Sequence, residues 1–149
     1  MPSIVESPAG HDQTEATFAK RFKLFHGAWS VRRSIVDLRN GLRSSFEGAA
    51  TITPDRFEEN GEMLSGGARL KSARMYRLAY SDSGVSVRFA DARDFVEIGD
   101  GALQPLLHHC GEDIYDGRLA FLTINRWVEI WRVSGPRKDY RSFATYRRA

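Results

Sequence analysis

The sequence predicts an all-β protein: a single antiparallel barrel of about 8–10 strands with a short N-terminal helix. Three observations carry that prediction. Apolar and polar residues alternate with a period of two from Trp29 almost to the C-terminus. Turn-forming residues interrupt the alternation at short intervals, which suits hairpins. Helical spacing is confined to the stretch before Gly27.

Taken in order, residues 1–13 hold Pro2, Pro8 and Gly10 without periodicity and read as a flexible leader, with the barrel domain at 14–149. Phe18, Phe22 and Phe25 fall at i, i+4 and i+7, one apolar helical stripe over 14–26. Thr14 is its expected N-cap and Gly27 its stop. Trp29, Val31, Arg33, Ile35 and Asp37 then share one face of a first long strand. Arg39, Asn40 and Gly41 turn the chain into a second strand over 42–53. A third is expected over 56–64, with Gly66 and Gly67 as its turn. Leu70, Ser72, Arg74, Tyr76, Leu78 and Tyr80 lie on one face of a fourth. After the turn at 81–84, Val85, Val87 and Phe89 alternate, and further strands follow at 95–98, 106–110, 113–124, 126–133 and 139–147. Long strands in hairpin order favour a closed meander over a sandwich, because closure removes exposed edges.

The 149 residues allow one domain, and one cysteine excludes an intrachain disulfide. The longest run without a charged residue, 101–111, is shorter than the roughly 18 residues of a membrane span, so no membrane partner is expected. No signal-peptide pattern opens the sequence, and a cytoplasmic location is the expectation. Basic residues number 22 against 19 acidic ones, a net charge of +3. Eighteen of the 22 are Arg, and 126–149 alone carries +5. No nucleic-acid-binding motif accompanies that tail, so nucleic acid is not an expected partner. Arg in excess of Lys suits planar pairing with carboxylates and stacking on rings inside the fold.

Gly27-Ala28-Trp29 opens the first strand, and Lys138-Asp139-Tyr140, Tyr146 and Arg147-Arg148 mark the last. Together these resemble the lipocalin and wider calycin pattern. That resemblance implies a barrel in which Arg147 or Arg148 packs over Trp29 and closes one end. From Leu24 onward the chain is also similar to a family of small calycin-like bacterial and fungal domains with no assigned function. The matching residues are Gly27, Trp29, Arg33, Ile35, Arg74, Tyr76, Asp91, Arg93, Phe95, His108, Cys110, Asp113, Tyr115 and 131–140 with Tyr146. Within that last run, Gly135-Pro136, Lys138, Asp139 and Tyr140 form the most specific element. The family tends to have Gly between the Asp and the Arg, and aromatic or His residues next. This chain has Ala92, Asp94 and Val96 there.

Two arginines, Arg33 and Arg74, sit on apolar rows and are expected inside the barrel. A buried Arg needs a partner. Internal acids such as Glu129, Asp91 or Asp113 would satisfy them. Left free, they would clamp a small, partly apolar, carboxylate-bearing molecule, with Tyr76, His108, Tyr115, Trp131 and Tyr146 as walls. Such binding is the expected function. The alternatives are a cofactor-free isomerase or hydrolase using His108 with Asp113 or Tyr115, and a module whose basic C-terminal strands hold an acidic partner. His108 and Cys110 share a face, but no further ligand spacing accompanies them, so neither a metal nor a cofactor is expected. The oligomeric state is left open, with a homodimer among the options.

Overall fold

The structure, a computed structural model, describes residues 21–149. The leader, Thr14 and Phe18 lie outside the described residues. Arg21 to Lys23 are helical, and i→i−3 bonds from Leu24, Phe25 and His26 close a tight turn ahead of the first strand.

Ten strands follow: β1 (Gly27–Asp37), β2 (Arg43–Ile52), β3 (Arg56–Ser65), β4 (Ala68–Ser81) and β5 (Gly84–Phe89). β6 (Asp94–Gly99), β7 (Leu103–Cys110), β8 (Asp113–Thr123), β9 (Arg126–Ser134) and β10 (Asp139–Arg148) complete the chain. They form one antiparallel sheet in the order β6-β5-β4-β3-β2-β1-β10-β9-β8-β7. The pairing of β1 with β10 joins the first strand to the last, setting Trp29 opposite Arg148. The sheet curls into a nearly closed barrel, so β6 and β7 face each other across a seam that no backbone ladder bridges. Side chains staple it instead. Gly99 N donates to Gln104 Oε1 at 2.9 Å, and His108 Nδ1 lies 3.1 Å from the Phe95 carbonyl oxygen.

Burial follows the alternation. Trp29, Val31, Phe46, Ala50, Phe57, Leu78, Trp127 and Tyr146 point inward and form much of the core. The register slips between Val87 and Arg88, so Phe95 has no partner on β5. That bulge turns both Phe95 and Val96 toward the interior. At the end where β1 begins, here the helix end, Phe22 and Phe25 pack onto the core as a stopper. Trp29 is fully buried there, donating to the Phe25 carbonyl at 2.9 Å.

Of the two arginines that the barrel signature offers, Arg148 is the one that covers the Trp. Arg147 is exposed on the outer face, whereas the Arg148 guanidinium lies 4.2 Å from the Trp29 ring centroid. Arg148 also donates to the carbonyls of His26 (2.7 Å), Ile124 (2.6 Å) and Leu24. Period-two geometry explains the choice: opposite Trp29 only one of two adjacent residues can cover the same ring.

Candidate functional site

Arg33 on β1, Glu59 on β3, Arg74 on β4, Glu129 on β9 and Tyr146 on β10 meet across the middle of the barrel. Arg33 Nη2 donates to Glu59 Oε1 at 2.8 Å and Oε2 at 3.2 Å. Arg74 Nε also donates to Glu59, while its Nη2 reaches both Glu129 oxygens at 3.2 Å. The Tyr146 hydroxyl accepts from both arginines at 2.9 Å and donates to Glu59 Oε1 at 2.8 Å. Trp131 Nε1 donates to Glu129 at 2.8 Å. Rings flank the cations, with Phe46 5.1 Å from Arg33 and Tyr76 5.4 Å from Arg74.

Two cations face two carboxylates, so the layer carries no net charge. Burial pushes the Glu59 carboxyl up, but Arg74 and Arg33 more than reverse this and hold it below the usual range. Burial, then Glu129, push the Tyr146 hydroxyl well up, so it remains a donor at neutral pH. Of the two arrangements open from the sequence, the structure has the paired one: each arginine has its carboxylate. Glu129 is one of the expected partners, whereas Asp91 pairs with Arg93 at 2.7 Å and Asp113 with Lys138 at 3.3 Å. Glu59 is the partner that sequence reasoning missed. Its signal is its place on the same row as Phe57 and Met63.

Toward the helix end lies a cavity of about 80 Å³, walled by rings and aliphatic chains such as Phe57, Leu78, Val87 and Leu106. Arg74 and Glu129 are its charged lining, and Tyr76 and Trp131 also face it. A second space of about 280 Å³ opens to the surface at the helix end and shares Phe22, Phe25, Ile98 and Phe121 with the first. The Arg74 side chain is 29% exposed against 10% for Arg33, so Arg74 is the more accessible cation.

His108 and Tyr115 sit farther along, in a ring cluster centred on Phe95. Phe95 lies 5.1 Å from both Tyr76 and His108, and 5.6 Å from Trp131. The His108–Tyr115 contact is ring to ring at 5.8 Å. Tyr115 accepts from Lys138 at 3.1 Å, so the acid–base trio His108, Asp113 and Tyr115 is not assembled by hydrogen bonds among the described residues. Cys110 is exposed.

Gly135, Pro136, Lys138, Asp139 and Tyr140 form a structural corner. Gly135 N donates to the Lys138 carbonyl at 2.8 Å, closing the turn. A Cβ on Gly135 would stand 1.9 Å from Asp113 Oδ1, so glycine lets Asp113 reach Lys138. Arg132 pairs with Asp139 at 2.7 Å.

An antiparallel barrel with a helical stopper, an Arg over a buried Trp and a small internal cavity defines a lipocalin-like protein. The sequence profile of a family of unknown function, DUF6314, matches residues 25–148, and the chain belongs to that family. Among solved structures, it is similar to an S-type phycobiliprotein lyase, CPES, from Guillardia theta. The two share 12% identity at a TM-score of 0.61, over 95% of this chain and 98% of that one. It is also similar to a protein of unknown function from the DUF3598 family of Nostoc punctiforme. Identity there is 8% and TM-score 0.63, over 85% of this chain and 48% of that one. At such identities the likeness is one of fold. Among curated protein sequences, none matches the chain.

Proposed function

We propose that this protein is a carrier that holds one small, mainly apolar molecule inside the barrel and performs no reaction on it. The observation that carries the reading is the apolar cavity of about 80 Å³ whose charged lining is a neutral Arg74–Glu129 pair. Tyr76 and Trp131 are its contact residues, with Arg74 meeting the ligand's single polar end. Arg33 and Tyr146 hold that layer in place, while His108 and Tyr115 support it from behind Phe95. An added carboxylate would bring an unbalanced charge into the layer, whereas an uncharged hydroxyl or carbonyl would not. We therefore place a neutral hydrogen-bonding group ahead of the carboxylate expected from the sequence.

Size supports a gated entry. A dry cavity of about 150 Å³ accepts benzene, so this one takes only a smaller group as it stands. Displacing Phe22 and Phe25 joins it to the outer space and brings the total into the roughly 300–1,000 Å³ range of ligand pockets.

The test is titration with N-phenyl-1-naphthylamine, a neutral apolar fluorophore, followed by competition with dodecanol and dodecanoate. Saturable 1:1 enhancement is expected, with dodecanol the better competitor, and Leu106→Phe should abolish it by filling the cavity. No enhancement with folded protein, or uptake indifferent to Leu106→Phe, would overturn the reading. Stronger competition by dodecanoate would restore the anionic ligand.

A further inference from the structure

We propose that the helix end of the barrel docks on an anionic lipid surface. Three large apolar side chains stand exposed there: Leu24 at 51%, Leu122 at 53% and Ile124 at 52%. Leu24 and Ile124 belong to one patch, because the Arg148 guanidinium binds the carbonyls of both and both line the outer space, and Leu122 stands two residues before Ile124 at the same end of the barrel. Phe22 and Phe25 turn inward onto the core, whereas Leu24 and Ile124 line the opening of the outer space and face solvent across it.

Cations flank the patch. Lys23, Arg126 and Arg147 are exposed, and none forms an ion pair with a described residue. Arg126 and Arg147 are moreover direct partners across β9 and β10. Like charges set opposite each other destabilise a sheet, and an anionic surface relieves that repulsion. Asp100, the one acid lining the opening among the described residues, is held by Arg21 at 2.5 Å. Apolar side chains ringed by unpaired cations match the boundary between acyl chains and anionic headgroups. The same cations disfavour a second copy of the chain, whose patch would carry the same sign. The long apolar run absent from the sequence bears on spanning a bilayer, whereas this contact is peripheral.

Leu24 and Ile124 of the patch line the outer space, which meets the internal cavity at Phe22, Phe25, Ile98 and Phe121. Docking would therefore place the entrance against acyl chains, a source of apolar ligand. That last step rests on the carrier reading, and the docking itself does not.

Co-sedimentation of the full chain with phosphatidylcholine vesicles, with and without 30% phosphatidylserine, tests the docking. Binding is expected only with phosphatidylserine and should weaken with salt. Lys23→Glu and Arg126→Glu should each lower the partition coefficient by at least about fivefold, the weight of one basic residue at an anionic leaflet. Leu24→Ser/Ile124→Ser should lower it further, whereas Arg69→Glu and Lys71→Glu at the opposite end should leave it within about twofold. Absence of binding by folded protein overturns the docking, as does equal loss from the opposite-end variants. Self-association abolished by Leu24→Ser/Ile124→Ser would overturn it in favour of a second copy. Fluorophore uptake measured without vesicles reports on the carrier reading separately, so either can fail alone.

Discussion

Replacing Glu59 by Gln keeps the shape of the central layer and removes half of its negative charge. Glu59 is 1% exposed and is the sole carboxylate among the described residues paired with Arg33, whereas Arg74 retains Glu129. The substitution thus strands one guanidinium in the core. Breaking a buried pair in this way costs about 3–5 kcal/mol. Against a typical total of about 5–15 kcal/mol, that is a large share. For a chain of this size it corresponds to a fall in Tm of roughly 6–20 °C. Urea unfolding followed by tryptophan fluorescence measures it, with an unchanged m value showing that the same surface is exposed. Replacing both residues, Arg33→Met/Glu59→Met, should recover most of the loss, since a buried pair and a packed apolar substitute are of similar stability.

The pH dependence has a definite sign. The folded carboxyl of Glu59 lies below its ordinary value of 4.5. Its contribution is therefore complete above about pH 4.5 and declines as pH falls from there through the lower folded value. Glu59→Gln should lack this component, so the two stability curves should converge in acid. A loss under about 1 kcal/mol at pH 7, the weight of one ordinary hydrogen bond, would refute the charge-balanced core.

Ala92 adopts φ +73°, the left-handed region, so Ala92→Gly should stabilise by about 1 kcal/mol in the same urea titration. Arg148→Lys should destabilise by about 1–3 kcal/mol, because an ammonium cannot reach three carbonyls while covering Trp29; thermal melts would show it. Gly117→Ala places a Cβ 2.4 Å from Trp131 Cε3, against a ring that cannot yield. A loss of about 1–3 kcal/mol is expected, read by urea unfolding, together with a shift in tryptophan emission as Trp131 is displaced.

The sequence alone carried the ten strands and nearly all their turns. Side-chain alternation is a local property of extended backbone, so Trp29 to Asp37 or Val85 to Phe89 need no partner to be recognised. It also carried Arg33 and Arg74 as inward-facing, since each shares its row with apolar neighbours. The positive φ of Ala92 was not legible, since nothing in the alternation marks it.

What satisfied the arginines was decided only by the tertiary structure. Glu59 lies 26 residues from Arg33 and 15 from Arg74, and they meet only because β1, β2, β3 and β4 pair in one register. Glu129 and Tyr146 reach the same point from the other side only after β10 closes on β1. Charge balance in a core is a sum over strands, and a pattern read along one strand cannot supply it. The same holds for the choice of Arg148 over Arg147, fixed by which residue stands opposite Trp29. It holds also for the seam, where β6 and β7 follow each other in sequence yet make no ladder. Local periodicity dictated a barrel with two cations inside; register and closure decided that those cations are spoken for, and where the remaining space lies.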